Sequence, residues 1–166
     1  MMVDLTLLQS ISYMAGALGV GIAAIFYVLN LRISRRNMKH TLETRQAQLF
    51  MQVYNKWQEK EFNLSKQLVL QEYRCVGVED YEAVLKDKEK AANFRVVSTA
   101  LEGLGVLVKR SLVDVGIVDD MMSGDVIGFW EKYGGAVKEF RVRIGYPQAL
   151  EWTEYLYNEV KSLSLK

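Results

Sequence analysis

The sequence predicts an all-α protein, in which a single N-terminal transmembrane helix continues into a cytoplasmic helical bundle. Three observations carry that expectation. Leu5 to Leu31 holds no charged residue. The run then breaks into Arg32, Arg35, Arg36 and Lys39. Beyond this cluster, apolar residues recur three and four apart, the helical period, and the alternation of a strand is hard to find.

The short head, residues 1–10, carries Asp4 and no Lys or Arg. Residues 11–31 are read as the span. A crossing helix needs ~20 apolar residues for ~30 Å of hydrocarbon, and Ser12 is the one clearly polar interruption from Ile11 to Leu29. A secretory signal would carry positive charge in front and small residues behind, whereas here the front is acidic and the rear basic. An interfacial amphipathic helix would show a charged face, and a buried core helix is usually shorter. Within the span Ala15, Gly19 and Ala23 lie four apart. Small residues so placed let helix backbones approach in a bilayer, although Gly and Ala are also common in unpartnered spans.

Residues 32–45 form a basic juxtamembrane linker. Lys and Arg beside a span stay on the cytoplasmic side, so the N-terminus is expected outside and residues 32–166 inside. The same four side chains, Arg32, Arg35, Arg36 and Lys39, suit anionic lipid headgroups at about 1 kcal/mol each. Ser34 to Thr41 contains no helix breaker, so the helix is predicted to run on, with Leu42, Leu49, Phe50, Val53 and Trp57 as its apolar stripe.

The cytoplasmic domain, 46–166, is nearly neutral, with 16 basic and 18 acidic side chains. Such a balance gives no field to attract nucleic acid. Helices are predicted from Phe62 to Tyr73 and from Asp80 to Lys86, with a turn between at Cys75 to Val78. Asn93 to Arg110 is the most apolar stretch of the domain, with Val97, Leu101, Leu104 and Val108 on one face. Its two glycines, Gly103 and Gly105, cost a helix ~1 kcal/mol each, for which tight packing is the natural compensation. The flat face of Ala92, Thr99, Gly103 and Val106 is accordingly expected to be an interface inside the bundle. A further helix carries Val126, Trp130, Tyr133, Val137, Phe140 and Ile144, capped at Ser123 and bent at Gly134-Gly135. Pro147 is expected to open the last helix, with Ala149, Trp152, Leu156, Val160 and Leu163 inward. The many aromatics are read as core, a ligand pocket being the sharper alternative.

No catalytic constellation is found. The lone histidine, His40, sits in the basic linker with Glu43 three residues on, which makes a weak metal motif. Ser-His-Asp and Cys-His chemistry lack a histidine within the domain. Glu102, alone in an apolar run, invites a catalytic reading, but its helical neighbours are polar and a solvated or paired carboxylate is preferred. Asp119 and Asp120 point about 100° apart on a helix. The single Cys75 excludes an internal disulfide. No cofactor is expected.

The segments RQAQLFMQVYNKW (Arg45–Trp57), LEGLGVLVKRSLVD (Leu101–Asp114) and FWEKYGGAVKEFRVRIGYPQALEWTEYLYNE (Phe129–Glu159) resemble an uncharacterised family of small prokaryotic, often archaeal, membrane-anchored proteins. The family is known only as a domain of unknown function. The resemblance implies one N-terminal span and a small helical cytoplasmic domain, and it brings no activity, cofactor or catalytic residue. The expected function is that of a non-catalytic accessory or adaptor subunit of a larger membrane protein complex. The alternatives are a self-assembling homo-oligomer held through Ala15, Gly19 and Ala23, and a membrane-tethered enzyme with dispersed carboxylates such as Glu102 and Asp114.

Overall fold

The computed structural model describes residues 5–164. The first four residues of the expected head, and residues 165 and 166, lie outside the described residues. Among those described there are six α-helices and no strand: α1 Leu5–Gln58, α2 Lys60–Gln67, α3 Val78–Lys86, α4 Lys88–Lys109, α5 Val115–Ile144 and α6 Glu151–Ser164. A π-helical turn, Leu68–Glu72, follows α2. The chain divides into two compact units, one reaching Arg45 and one from Gln46 to Lys166.

The first unit is the leading part of α1, and every described side chain in it is exposed. Its apolar stretch is long enough to cross a membrane. A run of Leu, Ile, Val and Phe with no polar side and no protein cover is the pattern that water excludes and hydrocarbon accepts. With neither proline nor a cap to stop it, the helix passes through the basic cluster without a break.

The second unit is a helical bundle in which α5 packs on α6 and α3, and α4 on α6, α2 and α3. It begins with the last turns of α1, whose Phe50 and Trp57 are buried. Its centre is aromatic. Phe94 of α4 lies between Tyr81 of α3, at 5.4 Å between ring centres, and Tyr133 of α5, at 5.1 Å. Phe129 lies tilted beside Tyr133 at 5.1 Å, and Phe140 lies edge-on to Tyr81 at 5.2 Å. Offset and edge-to-face pairs of this kind add about 0.5–1.5 kcal/mol beyond their buried area. These rings are core, as the sequence reading preferred.

Two helix ends are satisfied locally. The Asp87 carboxylate accepts from the N–H groups of Glu89 and Lys90 at 3.0 and 3.1 Å, starting α4. Gly145, in the left-handed conformation at φ 67°, ends α5. The π turn leaves carbonyls over, and α5 supplies their donors. Lys132 Nζ donates to Val69 O and Leu70 O at 3.0 and 2.9 Å, and the Tyr133 hydroxyl to Val69 O at 2.8 Å. Burial holds the Lys132 ammonium below its usual pKa.

Several local expectations are corrected. Ser123 caps nothing: α5 starts eight residues earlier, with the Asp114 carboxylate accepting from Gly116 N–H at 2.8 Å, and it runs unbroken through Gly134-Gly135. Pro147 lies in a turn and α6 begins at Glu151, after Leu150 adopts a left-handed backbone at φ 56°. Ala149 therefore precedes the helix. Of the face expected to be internal, Ala92, Thr99 and Gly103 are exposed and Val106 is half-buried. The packed glycine of α4 is Gly105, where a Cβ would meet the backbone of Trp152.

Candidate functional site

Two of the carboxylates singled out from the sequence, Glu102 and Asp114, are occupied by helix ends, while Asp119 accepts from the Ser164 hydroxyl at 3.3 Å. Glu102 Oε1 on α4 accepts from Thr153 N–H at 2.6 Å and from the Thr153 hydroxyl at 2.8 Å. The first turn of a helix leaves N–H groups without intrahelical partners, and a negative charge suits that end. Glu102 thus caps α6 from a neighbouring helix, and Asp114 caps α5. The two serve different helix starts. His40 Nδ1 lies 3.4 Å from Glu43 on the exposed part of α1. Among the described residues no group of three His, Cys, Asp or Glu side chains is placed to hold a metal ion. Cys75 is half-buried, and burial, with the Asp80 charge, pushes its thiol up to about 11.

Arg32, Arg35, Arg36 and Lys39 are exposed on α1. Their spacing of three, four and seven spreads them over one broad face. Ala15, Gly19 and Ala23 line another face of the same helix, and a Cβ at Gly19 would meet nothing within 4 Å.

The bundle itself presents an apolar groove of about 730 Å³. Val53 and Trp57 from the end of α1 and Phe62 from α2 form one side. Val96, Gly103 and Leu107 on the outer face of α4 form the other. The indole of Trp57 is fixed from behind: its Nε1 donates to Asp125 Oδ2 on α5 at 2.8 Å, and Lys66 Nζ reaches the same oxygen at 2.9 Å. Lys66 also lies 5.6 Å from the ring centre of Trp57. The groove wall is thus held by a hydrogen-bonded ion pair as well as by packing. Lys56 and Arg95 border the groove, both exposed, and no carboxylate lines it.

The groove was not foreseen. The sequence signals it only through Thr99 and Gly103, which line it; Ala92 and Val106 of the same flat face do not. Elsewhere in the bundle Arg141 ties α5 to α6. It donates through Nε to Ala149 O at 2.7 Å and through Nη1 to Glu154 at 2.5 Å, with its guanidinium over the Trp130 ring at 5.7 Å. Lys138 completes the cluster, 3.0 Å from Glu154.

Three features stand out in these arrangements. They comprise an exposed apolar helix, a basic cluster following it, and an apolar groove with a basic rim. Comparison with curated proteins and with solved structures returns no significant match. A family model described as a domain of unknown function, DUF4760, matches residues 14–160, from the apolar helix to α6. The chain belongs to that DUF4760 family.

Proposed function

We propose that this protein is a non-catalytic, membrane-anchored adaptor or accessory subunit. It crosses the membrane once, with its N-terminus outside and its helical domain in the cytoplasm. There it binds a larger membrane protein complex through the span, the domain or both. The observation that carries the reading is the charge step on α1. An uncharged, fully exposed stretch from Leu5 to Leu31 ends in Arg32, Arg35, Arg36 and Lys39. Basic residues beside a span are retained on the cytoplasmic side and attract anionic headgroups. The carboxylates engaged in helix capping and the apolar groove favour binding over catalysis.

A second reading, self-assembly in the membrane, is favoured by the open face of Ala15, Gly19 and Ala23, where close helix contact meets no obstacle within the chain. Purification of the full chain from its native membranes in mild detergent, with mass measurement and identification of every component, separates the two. Foreign subunits support the adaptor. Copies of this chain alone support self-assembly, and a monomer overturns both. Protease added to right-side-out vesicles should leave the domain intact. Its digestion from outside would reverse the orientation.

A further inference from the structure

We propose that the groove between the end of α1 and the outer face of α4 receives an amphipathic helix of a partner protein whose acidic side chains flank its apolar stripe. The inference rests on the adaptor reading and names the chemistry of what the domain binds. Its first support is shape. The α4 side runs from Arg95 to Leu107, which at 1.5 Å per residue is roughly 18 Å of open wall, the length of three helical turns.

The floor of that wall is low. Thr99 and Gly103 are exposed, and a Cβ on Gly103 would meet nothing within 4 Å. A glycine weakens a helix interior. Gly105 has a reason inside the molecule, because Trp152 backbone lies against it. Gly103 has none inside the bundle, and close approach by a helix from outside would supply one. The groove is also an apolar surface bounded by polar groups, the arrangement that marks an interaction site.

Charge chooses the occupant. Lys56 belongs to the α1 side of the groove and Arg95 to the α4 side. Among the described residues neither takes part in an ion pair. Elsewhere in the domain Lys66, Lys138, Arg141, Arg143 and Lys161 are paired with carboxylates, while Lys60, Lys88, Lys90, Lys109 and Arg110 also stand outside ion pairs among the described residues. The groove is set apart because its lining holds two cations and no carboxylate. Two free cations around an apolar groove complement a helix with carboxylates beside its apolar stripe. A second copy docked groove to groove about a twofold axis would set these cations against their own equivalents, which disfavours a homodimer here.

The test uses the full chain in phospholipid nanodiscs. It is presented with a library of short helical peptides that carry a leucine stripe, with the flanking positions randomised among Glu, Gln and Lys. Selection should enrich Glu at those positions. The best peptide should lose affinity on the order of tenfold or more in the Lys56→Glu/Arg95→Glu variant, since two rim pairs are worth up to about fivefold each. Gly103→Leu, which fills the floor, should abolish binding with the thermal midpoint retained. Thr99→Trp fills the same space from an exposed position and serves as the second variant should Gly103→Leu lose helical packing.

No enrichment, equal enrichment of Glu and Lys, or binding unchanged in both filled variants would each overturn the proposal. So would saturable binding of a fluorescent fatty acid that Thr99→Trp removes while no peptide binds, which would assign the groove to lipid. A dimer dispersed by Thr99→Trp would assign it to a second copy. Failure of the selection beside a native complex of foreign subunits sinks the groove alone. Success of the selection with a chain that purifies without foreign subunits sinks the adaptor reading alone.

Discussion

Gly103 and Gly105 lie two residues apart on α4, yet replacing each by alanine should affect stability differently, Gly103→Ala stabilising and Gly105→Ala not. Both substitutions gain the same intrinsic helix preference, about 1 kcal/mol. At Gly103 nothing opposes that gain, because the added Cβ meets no atom within 4 Å. At Gly105 the Cβ would lie 2.7 Å from the carbonyl carbon of Trp152 and closer still to its oxygen. That obstacle is backbone of α6, so the helix itself must move. Overpacking of this kind costs about 1–3 kcal/mol, which leaves Gly105→Ala between neutral and roughly 2 kcal/mol destabilised. The shared helix term cancels in the difference between the two variants, which isolates the overpacking cost. At about 4 °C per kcal/mol for a domain of this size, the thermal midpoints should differ by roughly 4–12 °C, with Gly103→Ala the higher. The measurement is thermal unfolding of the full chain in one detergent, followed by far-UV circular dichroism. Equal midpoints, or Gly105→Ala the more stable, would refute the close approach of α4 and α6 and the capping of α6 by Glu102 that depends on it.

Asp125→Ala strips the shared acceptor from Trp57 Nε1 and Lys66 Nζ, both partly buried; urea unfolding should show a loss of about 1–3 kcal/mol, and a loss below a few tenths would mean that water replaces the carboxylate without penalty. Glu154 is held below its ordinary value of 4.5: burial raises its pKa, and the hydrogen bonds and charges of Arg141 and Lys138 more than offset this. Folded, it binds a proton less readily than unfolded, so its contribution is complete above about pH 4.5 and fades as the pH falls through the folded value; Glu154→Gln should flatten the acid limb of the midpoint-against-pH curve, and an unchanged limb would rule the cluster out as its source. Gly19→Ile should preserve membrane insertion while dissociating any complex held through Ala15, Gly19 and Ala23, and a detergent-solubilised particle of unchanged size would place association in the bundle alone.

The step from apolar run to basic cluster was legible because it needs no tertiary information: length, charge and the absence of a breaker suffice for a long exposed helix. The core was legible for a similar reason. Val97, Leu101, Leu104 and Val108 repeat at the helical period and all four are buried. Val126, Trp130, Tyr133 and Val137 do the same on α5. What failed were boundaries set by neighbours. Ser123 is a sound cap by type, but α5 is extended past it to Asp114 because Val118 and Met122 are buried too. Pro147 is tolerated in a first turn, yet the chain makes a separate turn there, with Glu151 N–H bonded to Gln148 O at 3.2 Å.

The groove was illegible for a deeper reason. Helical periodicity tells which residues share a face; it does not tell which face a neighbour covers. On α4, Phe94, Val97, Leu101, Leu104 and Val108 point inward, while Val96, Ala100, Gly103 and Leu107 form a second apolar face between them. Written as sequence, both faces look like core, and the face with small residues looks the more tightly packed of the two. The bundle has helices enough to cover only one. α6 takes the side of Gly105 and Glu102, and α2 with the last turn of α1 reaches only the edge of the other. Gly103, for which the flat face suggested an internal neighbour, therefore faces solvent, and Gly105 is the glycine pressed against backbone. An apolar helix face left open in this way exposes surface worth roughly 25 cal/mol per Å² if covered. Covering that surface would supply binding energy to whatever docks there.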